Sequence, residues 1–296
     1  MSNKTTETSK AGFKQEIGLF GGVSMLGSIM IGGGIFYLGS YVLQRTDFSM
    51  GLSLLCWVIG GIITMLGGLC FAEMGAMLPK AGGMTVYLNT AFHPLVGFLN
   101  GFNSWLLSGA GSLAAGALAF SAIFGLTGTT GKLVASALMI VFTAYNMLGI
   151  KAGSMFQNFT MVAKLIPIAI IMISAFLMGD VSPDLTILPE GTSFDFSSFI
   201  RMTAFATLAT LWAYEGWINL NTVSEEMKNP KRNLPLSLII AIGGITLLYV
   251  LFNYAIYRVI PADEVRSLID SESFYLGTEV AKRLLGGFGG VIVIVG

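Results

Sequence analysis

Long runs of apolar residues recur along the chain, separated by short polar segments. A helix needs about 20 apolar residues to cross a hydrocarbon core of roughly 30 Å, and each run reaches about that length. Apolar and polar residues do not alternate as they do in strands, so the pattern predicts helices rather than a membrane barrel. We place seven spans at 17–43, 50–78, 95–125, 132–150, 154–178, 199–222 and 234–260, followed by a partial span at 285–296.

The composition agrees with an all-α membrane protein. Apolar residues make up 54% of the 296 residues, charged residues make up 11%, and the mean hydropathy is +0.77. Soluble domains carry about 25% charged residues. The first apolar run is too long, and too often interrupted by glycine, for a cleaved signal peptide. We therefore expect a multi-pass helical protein in the lipid bilayer.

The side chains that catalytic or metal sites need are scarce. The single histidine, His93, and the two cysteines, Cys56 and Cys70, offer no set of metal ligands. The motifs H-E-x-x-H and G-x-S-x-G and a nucleotide-binding loop are absent from the sequence. The sequence thus predicts neither an enzyme nor a cofactor, and it carries no signature of nucleic-acid binding.

The basic residues of the short loops are concentrated on one side of the predicted membrane. That side receives Lys4, Lys10, Lys14, Lys80, Lys151, Lys228, Lys231 and Arg232. The other side, up to Arg201, receives only Arg45, Lys132 and Arg201. By the positive-inside rule, the tail at residues 1–16 is cytoplasmic and residues 17–296 form the transmembrane domain. We expect this domain in the plasma membrane.

Three consecutive glycines, Gly32 to Gly34, interrupt the first span. Glycine inside a helix costs about 1 kcal/mol relative to alanine, so the triplet predicts a break. Small residues also let neighbouring helices pack closely, and for the triplet both interpretations stay open. In two other spans we assign small residues to such packing: Gly60, Gly61, Gly67 and Gly68 in the second, and Ser104, Ser108, Ser112 and Gly116 in the third.

The sixth span carries a second irregularity, because Glu215, Gly216 and Asn219 lie well inside it. A carboxylate is expensive to bury in a membrane and marks a functional site by default. If this span also breaks, near 213–216, spans one and six correspond as the first helices of two five-helix repeats. Paired breaks at equivalent places in two halves point to the central site of a transporter.

Four segments carry a family resemblance when they are taken in order. They read I-G-G-G-I-F at 31–36, F-A-E-M-G-A-M-L-P-K-A-G-G at 71–83, W-A-Y-E-G-W at 212–217 and S-E-E-M-K-N-P-K-R-N-L-P at 224–235. They resemble the amino acid–polyamine–organocation superfamily, most closely its L-type amino acid transporter branch. The resemblance implies a five-plus-five inverted repeat with broken helices one and six. The chain then looks truncated within span eight.

The resemblance also implies a substrate site at the two breaks. The amides of Gly32, Gly33 and Gly34, at the start of the outer half of helix one, would hold a carboxylate, since a helix N-terminus favours an anion. The family usually has serine where this chain has Gly33. Four further residues would supply carbonyls or pocket wall: Ile31, Trp212, Ala213 and Tyr214. Trp212 stands where the family carries an aromatic gate, although a packing role also fits a membrane tryptophan.

Two buried charges remain to be assigned, Lys164 in span five and Glu215 in span six. A mid-bilayer lysine needs a partner, which we expect among the helix-one carbonyls near Gly27 to Ile31. By resemblance it replaces a sodium ion as a structural and coupling cation. Glu215 would either hold the unwound backbone through Asn219 or Tyr214, or face the pocket, where it would favour a cationic side chain or carry a proton.

The resemblance therefore implies a sodium-independent exchanger or uniporter of neutral L-amino acids that works by alternating access. A cationic amino acid or a polyamine is the alternative substrate. An amino-acid-binding membrane sensor and an inactive transporter fragment are the alternative functions. The expected partners are the small-molecule substrate and the lipid bilayer, and no motif specifies an accessory subunit.

Overall fold

Helices joined by turns and loops make up most of the described chain. A computed structural model describes residues 14–148, 150–188, 195–271, 274–287 and 289, and in these ranges the only β-type pairing is an isolated bridge between Ile17 and Met227. The first six helices are α1 (Leu19–Met30), α2 (Gly34–Arg45), α3 (Met50–Met77), α4 (Met84–Ala91), α5 (Pro94–Asn103) and α6 (Ser112–Ile123). The other six are α7 (Gly128–Asn146), α8 (Ile150–Met178), α9 (Phe196–Ala213), α10 (Pro230–Tyr257), α11 (Ala262–Asp270) and α12 (Leu276–Leu285).

Two further helical segments are not α-helices. A π-helical segment, Ser104–Gly111, continues α5 into α6 without a turn, and the 3₁₀ segment Trp217–Glu226 follows α9. The tighter and wider turns of such helices occur mostly in short pieces and often at functional sites. The π-helical segment lies in the third span, which the sequence predicts as a single helix, whereas the 3₁₀ segment follows the break that the sequence predicts in the sixth span.

The described residues contain five helical stretches that are long and apolar enough to cross a membrane, and six if α1 and α2 are taken as one bent span. The five are Met50–Met77, Pro94–Ala122, Gly128–Asn146, Met155–Met178 and Pro230–Tyr257. The predicted sixth span, 199–222, is not among them, because that stretch is divided between α9 and the polar 3₁₀ segment. Most of the predicted partial span at 285–296 and most of the predicted tail at 1–16 lie outside the described residues.

The centre of the molecule is formed by α3 and α10, with α1, α2 and α9 packed around them. Lipid tails are as apolar as leucine, so close packing and hydrogen bonds hold membrane helices together. The glycines of α3 serve this purpose, as predicted. A Cβ on Gly60 would collide with Thr210 of α9, and a Cβ on Gly61 would collide with Thr246 of α10.

The loop after α3 and the short helix α4 cover the 3₁₀ segment on the predicted cytoplasmic side. The Glu225 carboxylate accepts a hydrogen bond from the amide of Ala81 at 3.0 Å, and the amide of Gly82 donates to the Thr222 carbonyl at 3.2 Å. Beneath them, the hydroxyl of Tyr87 donates to Oδ1 of Asn221 at 3.1 Å. Backbone and side-chain hydrogen bonds thus join these elements.

Candidate functional site

The first break is the glycine triplet between α1 and α2, whose axes differ by 59°. The amide of Ile31 closes the last turn of α1 on Gly27 at 3.0 Å. The next three amides, those of Gly32, Gly33 and Gly34, have no backbone acceptor within the described ranges. These free N–H groups lie at the N-terminus of α2, where the helix dipole also favours an anion.

Close packing does not explain the triplet. A Cβ added to Gly32 or Gly33 would meet no atom within 4 Å, and one on Gly34 would meet only the flexible side chain of Leu38 at 3.1 Å. The glycines therefore leave open space in front of the backbone. Of the two interpretations that the sequence left open, the structure favours a break that exposes backbone groups.

The second break follows Ala213, where α9 ends. Gly216 adopts a φ of +112°, which residues with a Cβ rarely adopt, and a Cβ there would also press on the side chain of Ile29 in α1. Asn219 stabilises the turn by donating from its backbone and its side chain to the Gly216 carbonyl, at 3.1 and 3.0 Å. The two breaks therefore lie against each other, as the sequence predicts.

A cavity of about 590 Å³ opens between the two breaks. Residues from α1, α2, the third span, α9, the 3₁₀ region and α10 form its wall: Ile29, Met30, Gly32, Gly34, Tyr37, Ser104, Ser108, Gly109, Ser112, Trp212, Ala213, Glu215, Gly216, Ile218, Asn219 and Tyr249. Five of the eight predicted substrate-binding residues are among them: Gly32, Gly34, Trp212, Ala213 and Glu215. Backbone and side-chain polar groups thus meet in one space.

Three predicted residues do not line this wall: Ile31, Gly33 and Tyr214. The Ile31 side chain packs into the apolar core with 3% exposure. Tyr214 is fully buried on the opposite side of the break, where its hydroxyl donates to the Trp57 carbonyl of α3 at 2.9 Å. A buried tyrosine hydroxyl needs an acceptor, and α3 provides one. Tyr214 therefore stabilises the second break by a hydrogen bond to α3, on the side away from the cavity.

Lys164 of α8 reaches the end of α1, as predicted. Its ammonium lies 3.2 Å from the carbonyl oxygen of Ser28 and 3.2 Å from that of Ile31. The break frees the Ile31 carbonyl from its helical partner, and the charged donor satisfies it. Lys164 therefore ties α8 to the first break from the side away from the cavity lining.

The hydroxyl of Tyr249 joins the two breaks, a role that the sequence analysis missed. It lies 2.9 Å from the carbonyl oxygen of Met30, the last residue of α1, and 3.0 Å from that of Ala213, the last residue of α9. One hydroxyl proton is shared between two acceptors that helix geometry leaves unpaired. A sequence signal exists, since Tyr249, Asn253 and Tyr257 follow one another at intervals of four along the apolar α10.

The serines of the third span are a second omission. Ser104, Ser108 and Ser112 line the cavity, whereas the sequence analysis assigned them to helix packing. Ser104 and Ser108 belong to the π-helical segment, in which no residue is buried. The hydroxyl groups of these serines, rather than their small size, were the sequence signal for a cavity wall. A serine side chain can form a hydrogen bond with a ligand, whereas the side chains of glycine and alanine cannot.

Glu215 is exposed in the cavity, and its carboxylate makes no hydrogen bond or ion pair with any residue that the structure describes. The predicted support through Asn219 or Tyr214 is wrong, because those side chains bond to Gly216 and Trp57. The alternative, a carboxylate that faces the pocket, agrees with the geometry. Trp212 stands beside it with 66% of its surface exposed.

Comparison with known protein sequences identifies the family. The sequence model of the family described as amino acid permease matches residues 17–296. The b(0,+)-type amino acid transporter 1 of Mus musculus is 34% identical over 279 residues, which are 89% of this chain and 55% of that protein. The serine/threonine exchanger SteT of Bacillus subtilis (strain 168) is 31% identical over 293 residues, 98% of this chain and 64% of that protein.

A third relative is more distant. The Asc-type amino acid transporter 1 of Mus musculus is 29% identical over 296 residues, 97% of this chain and 55% of that protein. The chain thus spans between half and two thirds of the length of these curated relatives. The match to the family extends over nearly all of the chain and includes both breaks. The chain therefore belongs to the amino acid permease family of the amino acid–polyamine–organocation superfamily.

Proposed function

We propose that the chain acts as a sodium-independent secondary amino acid transporter, an exchanger or uniporter that works by alternating access. The observation that carries this proposal is the cavity of about 590 Å³ in which the two helix breaks meet. Membership of the amino acid permease family supports it, as do relatives that are named transporters and exchangers of amino acids. The inverted repeat implied by the resemblance remains part of the proposal.

The backbone of an amino acid matches the groups at the breaks. Its carboxylate would accept hydrogen bonds from the amides of Gly32 and Gly34, which line the cavity, and of Gly33 between them. None of the three amides has a backbone acceptor among the described residues. Its ammonium would donate to the carbonyls of Met30 and Ala213. Each of these accepts from Tyr249 and keeps a second lone pair.

The side chain of the substrate would extend between Trp212, Glu215 and the serines of the third span. Neutral L-amino acids fit this wall, because the serine hydroxyls and the indole impose no charge. The Glu215 carboxylate has no partner among the described residues, so it would also receive a cationic side chain. We propose neutral amino acids as the main substrates and cationic ones as a second class.

Lys164 supports a mechanism without sodium. Its ammonium already donates to the carbonyls of Ser28 and Ile31, oxygen atoms of the kind that a hard cation would bind. A fixed positive charge at this place would stabilise the end of α1 in every conformation. Trp212, which is exposed in the cavity, would act as the gate above the bound substrate.

Counterflow in proteoliposomes tests this function. Labelled alanine, serine, lysine and arginine would be offered to vesicles loaded with unlabelled substrate, with sodium replaced by choline in a parallel set. We expect exchange that does not depend on sodium. Binding without counterflow would indicate a sensor, and loss of both would indicate an inactive chain.

Two variants at Gly33 test the proposed carboxylate site. Its φ of −58° suits proline, so Gly33→Pro removes the N–H donor with little change of backbone at that residue. Gly33→Ala keeps the donor and adds a Cβ in open space. A hydrogen bond to a charged group contributes about 1.5–3 kcal/mol. We therefore expect Gly33→Pro to weaken amino acid binding by about tenfold or more. Gly33→Ala should bind the amino acid nearly as well as the wild type does. Equal binding by the two variants would contradict the carboxylate site.

A further inference from the structure

One face of α2 carries Tyr37, Tyr41 and Arg45 at intervals of four residues, so that they stack one turn above another. The rings of Tyr37 and Tyr41 have centroids 6.1 Å apart with an interplanar angle of 84°. Two further rings come from the segment before α12. Phe274 lies parallel to Tyr41 at 5.1 Å, and Tyr275 lies 5.6 Å from Tyr37. We call these four rings the aromatic ladder.

The aromatic ladder leads from the cavity to the surface. Tyr37, its innermost ring on α2, is part of the cavity wall. From there α2 runs away from the break to Arg45, which is exposed, and Tyr275 is 58% exposed. At a rise of 1.5 Å per residue, the distance along α2 from Tyr37 to Arg45 is about 12 Å. With the predicted orientation, this is the extracellular approach to the site.

The chemistry of the ladder is that of a cation site. The face of an aromatic ring attracts an ammonium or guanidinium group within about 6 Å of its centroid. The guanidinium of Arg45 already occupies such a position, 5.8 Å from the centroid of Tyr41, and its Nη1 donates to the Tyr41 carbonyl at 3.2 Å. The Tyr41 ring of the aromatic ladder therefore already contacts a cation that belongs to the protein itself.

We propose that the aromatic ladder is an entry site for the cationic group of the substrate, and that Arg45 is a tethered competitor for it. An ammonium or guanidinium group would bind first over Tyr41 and then pass Tyr37 into the cavity, where Glu215 lies. The direction of this path rests on the proposed transport function. The binding chemistry rests on the ring geometry alone.

A packing role for the same rings predicts different results. If the ladder only holds the segment before α12 against α2, removing Arg45 has no effect on cations and removing a ring mainly lowers stability. An entry site predicts opposite signs for the two changes. Loss of the Tyr41 ring weakens cation binding, and loss of the Arg45 guanidinium strengthens it.

Cysteine labelling measures this binding without requiring transport. Arg45→Cys would be made in a Cys70→Ser background, because Cys70 is exposed and Cys56 is buried. A membrane-impermeant thiosulfonate would then modify the new thiol, with L-arginine amide as the cationic ligand and acetamide as the uncharged control. We expect L-arginine amide to slow modification, Tyr41→Phe to preserve this protection, and Tyr41→Leu to abolish it. Equal protection by acetamide, or protection that survives Tyr41→Leu, would overturn the proposal.

Uptake kinetics supply the second measurement. At an exposed cation–π contact, we expect Tyr41→Leu to raise the KM for arginine uptake about two- to fivefold, with Tyr41→Phe close to wild type, and Arg45→Gln to lower it. Unchanged KM values in Tyr41→Leu and Arg45→Gln, with unchanged thermal stability, would refute the entry site while leaving transport intact. Protection of the thiol in a protein without counterflow would instead refute the transport function alone.

Discussion

The hydroxyl of Tyr249 lies 2.9 Å from the carbonyl oxygen of Met30, at the residue where α1 ends. The same hydroxyl lies 3.0 Å from the Ala213 carbonyl, where α9 ends. A single side chain of α10 therefore contacts both broken helices. Any movement of one break relative to the other must change at least one of these hydrogen bonds, so Tyr249 is suited to couple the two breaks.

Tyr249→Phe tests this coupling. The ring stays in its buried aromatic cluster, but two freed carbonyls lose their donor, at a cost of about 1–3 kcal/mol when such groups are buried. We expect counterflow to fall by about tenfold, with a smaller loss of thermal stability. Tyr257→Phe is the matched control, because that buried hydroxyl pairs with Ser53 at 2.7 Å. Equal loss of counterflow in both variants would indicate a general packing defect.

Lys164→Ala removes the charged donor from the carbonyls of Ser28 and Ile31. Because charge-assisted hydrogen bonds contribute about 1.5–3 kcal/mol, we expect counterflow to fall by at least about tenfold. The amount of folded protein in the membrane should stay close to wild type. Lys132→Ala, at an exposed lysine of α7, is the control. Normal counterflow by Lys164→Ala would show that the ammonium serves no coupling role. A gain of sodium dependence would support its place as a substitute cation.

Glu215→Gln separates the two proposed substrate classes. The amide keeps the size of the side chain and removes its charge, and no partner of the carboxylate is lost among the described residues. We expect exchange of alanine and serine to continue and uptake of lysine and arginine to fall. Competition of the four amino acids against one labelled neutral substrate measures both effects in a single sample. Loss of neutral exchange in this variant would instead assign Glu215 a structural role.

The ion pair between Glu264 and Arg283 joins α11 to α12 outside the spans. The hydrogen bonds from Arg283 lower the pKa of Glu264, so this pair stabilises the folded chain above the ordinary pKa of a glutamate. That contribution disappears as the pH falls through the lowered pKa. We expect Glu264→Gln to lower the melting temperature at about pH 7 and the difference from wild type to vanish in acid. Asp263→Asn, a neighbouring exposed carboxylate, should show no comparable pH-dependent difference.

The sequence by itself determined the positions of the two breaks and of most of the membrane helices, although the predicted sixth span is not one long apolar helix. Apolar runs of sufficient length can only be helical in lipid, and three adjacent glycines are costly in such a helix. The need of Lys164 for hydrogen-bond acceptors was equally predictable, because a charge at mid-bilayer depth is costly without a partner. These are local constraints, and a single stretch of sequence is enough to express them.

Only the tertiary structure decided which side chains face the cavity. It turned Tyr214 towards Trp57 and left Glu215 in the open, although the two are adjacent in sequence. It also brought Tyr249 to both breaks and placed Ser104 in the wall rather than in a helix contact. The direction of a side chain at a break depends on the exact backbone angles there, such as the φ of +112° at Gly216, and on which neighbour supplies a hydrogen-bond acceptor. Both are set by packing between helices distant in sequence, so no local pattern specifies them.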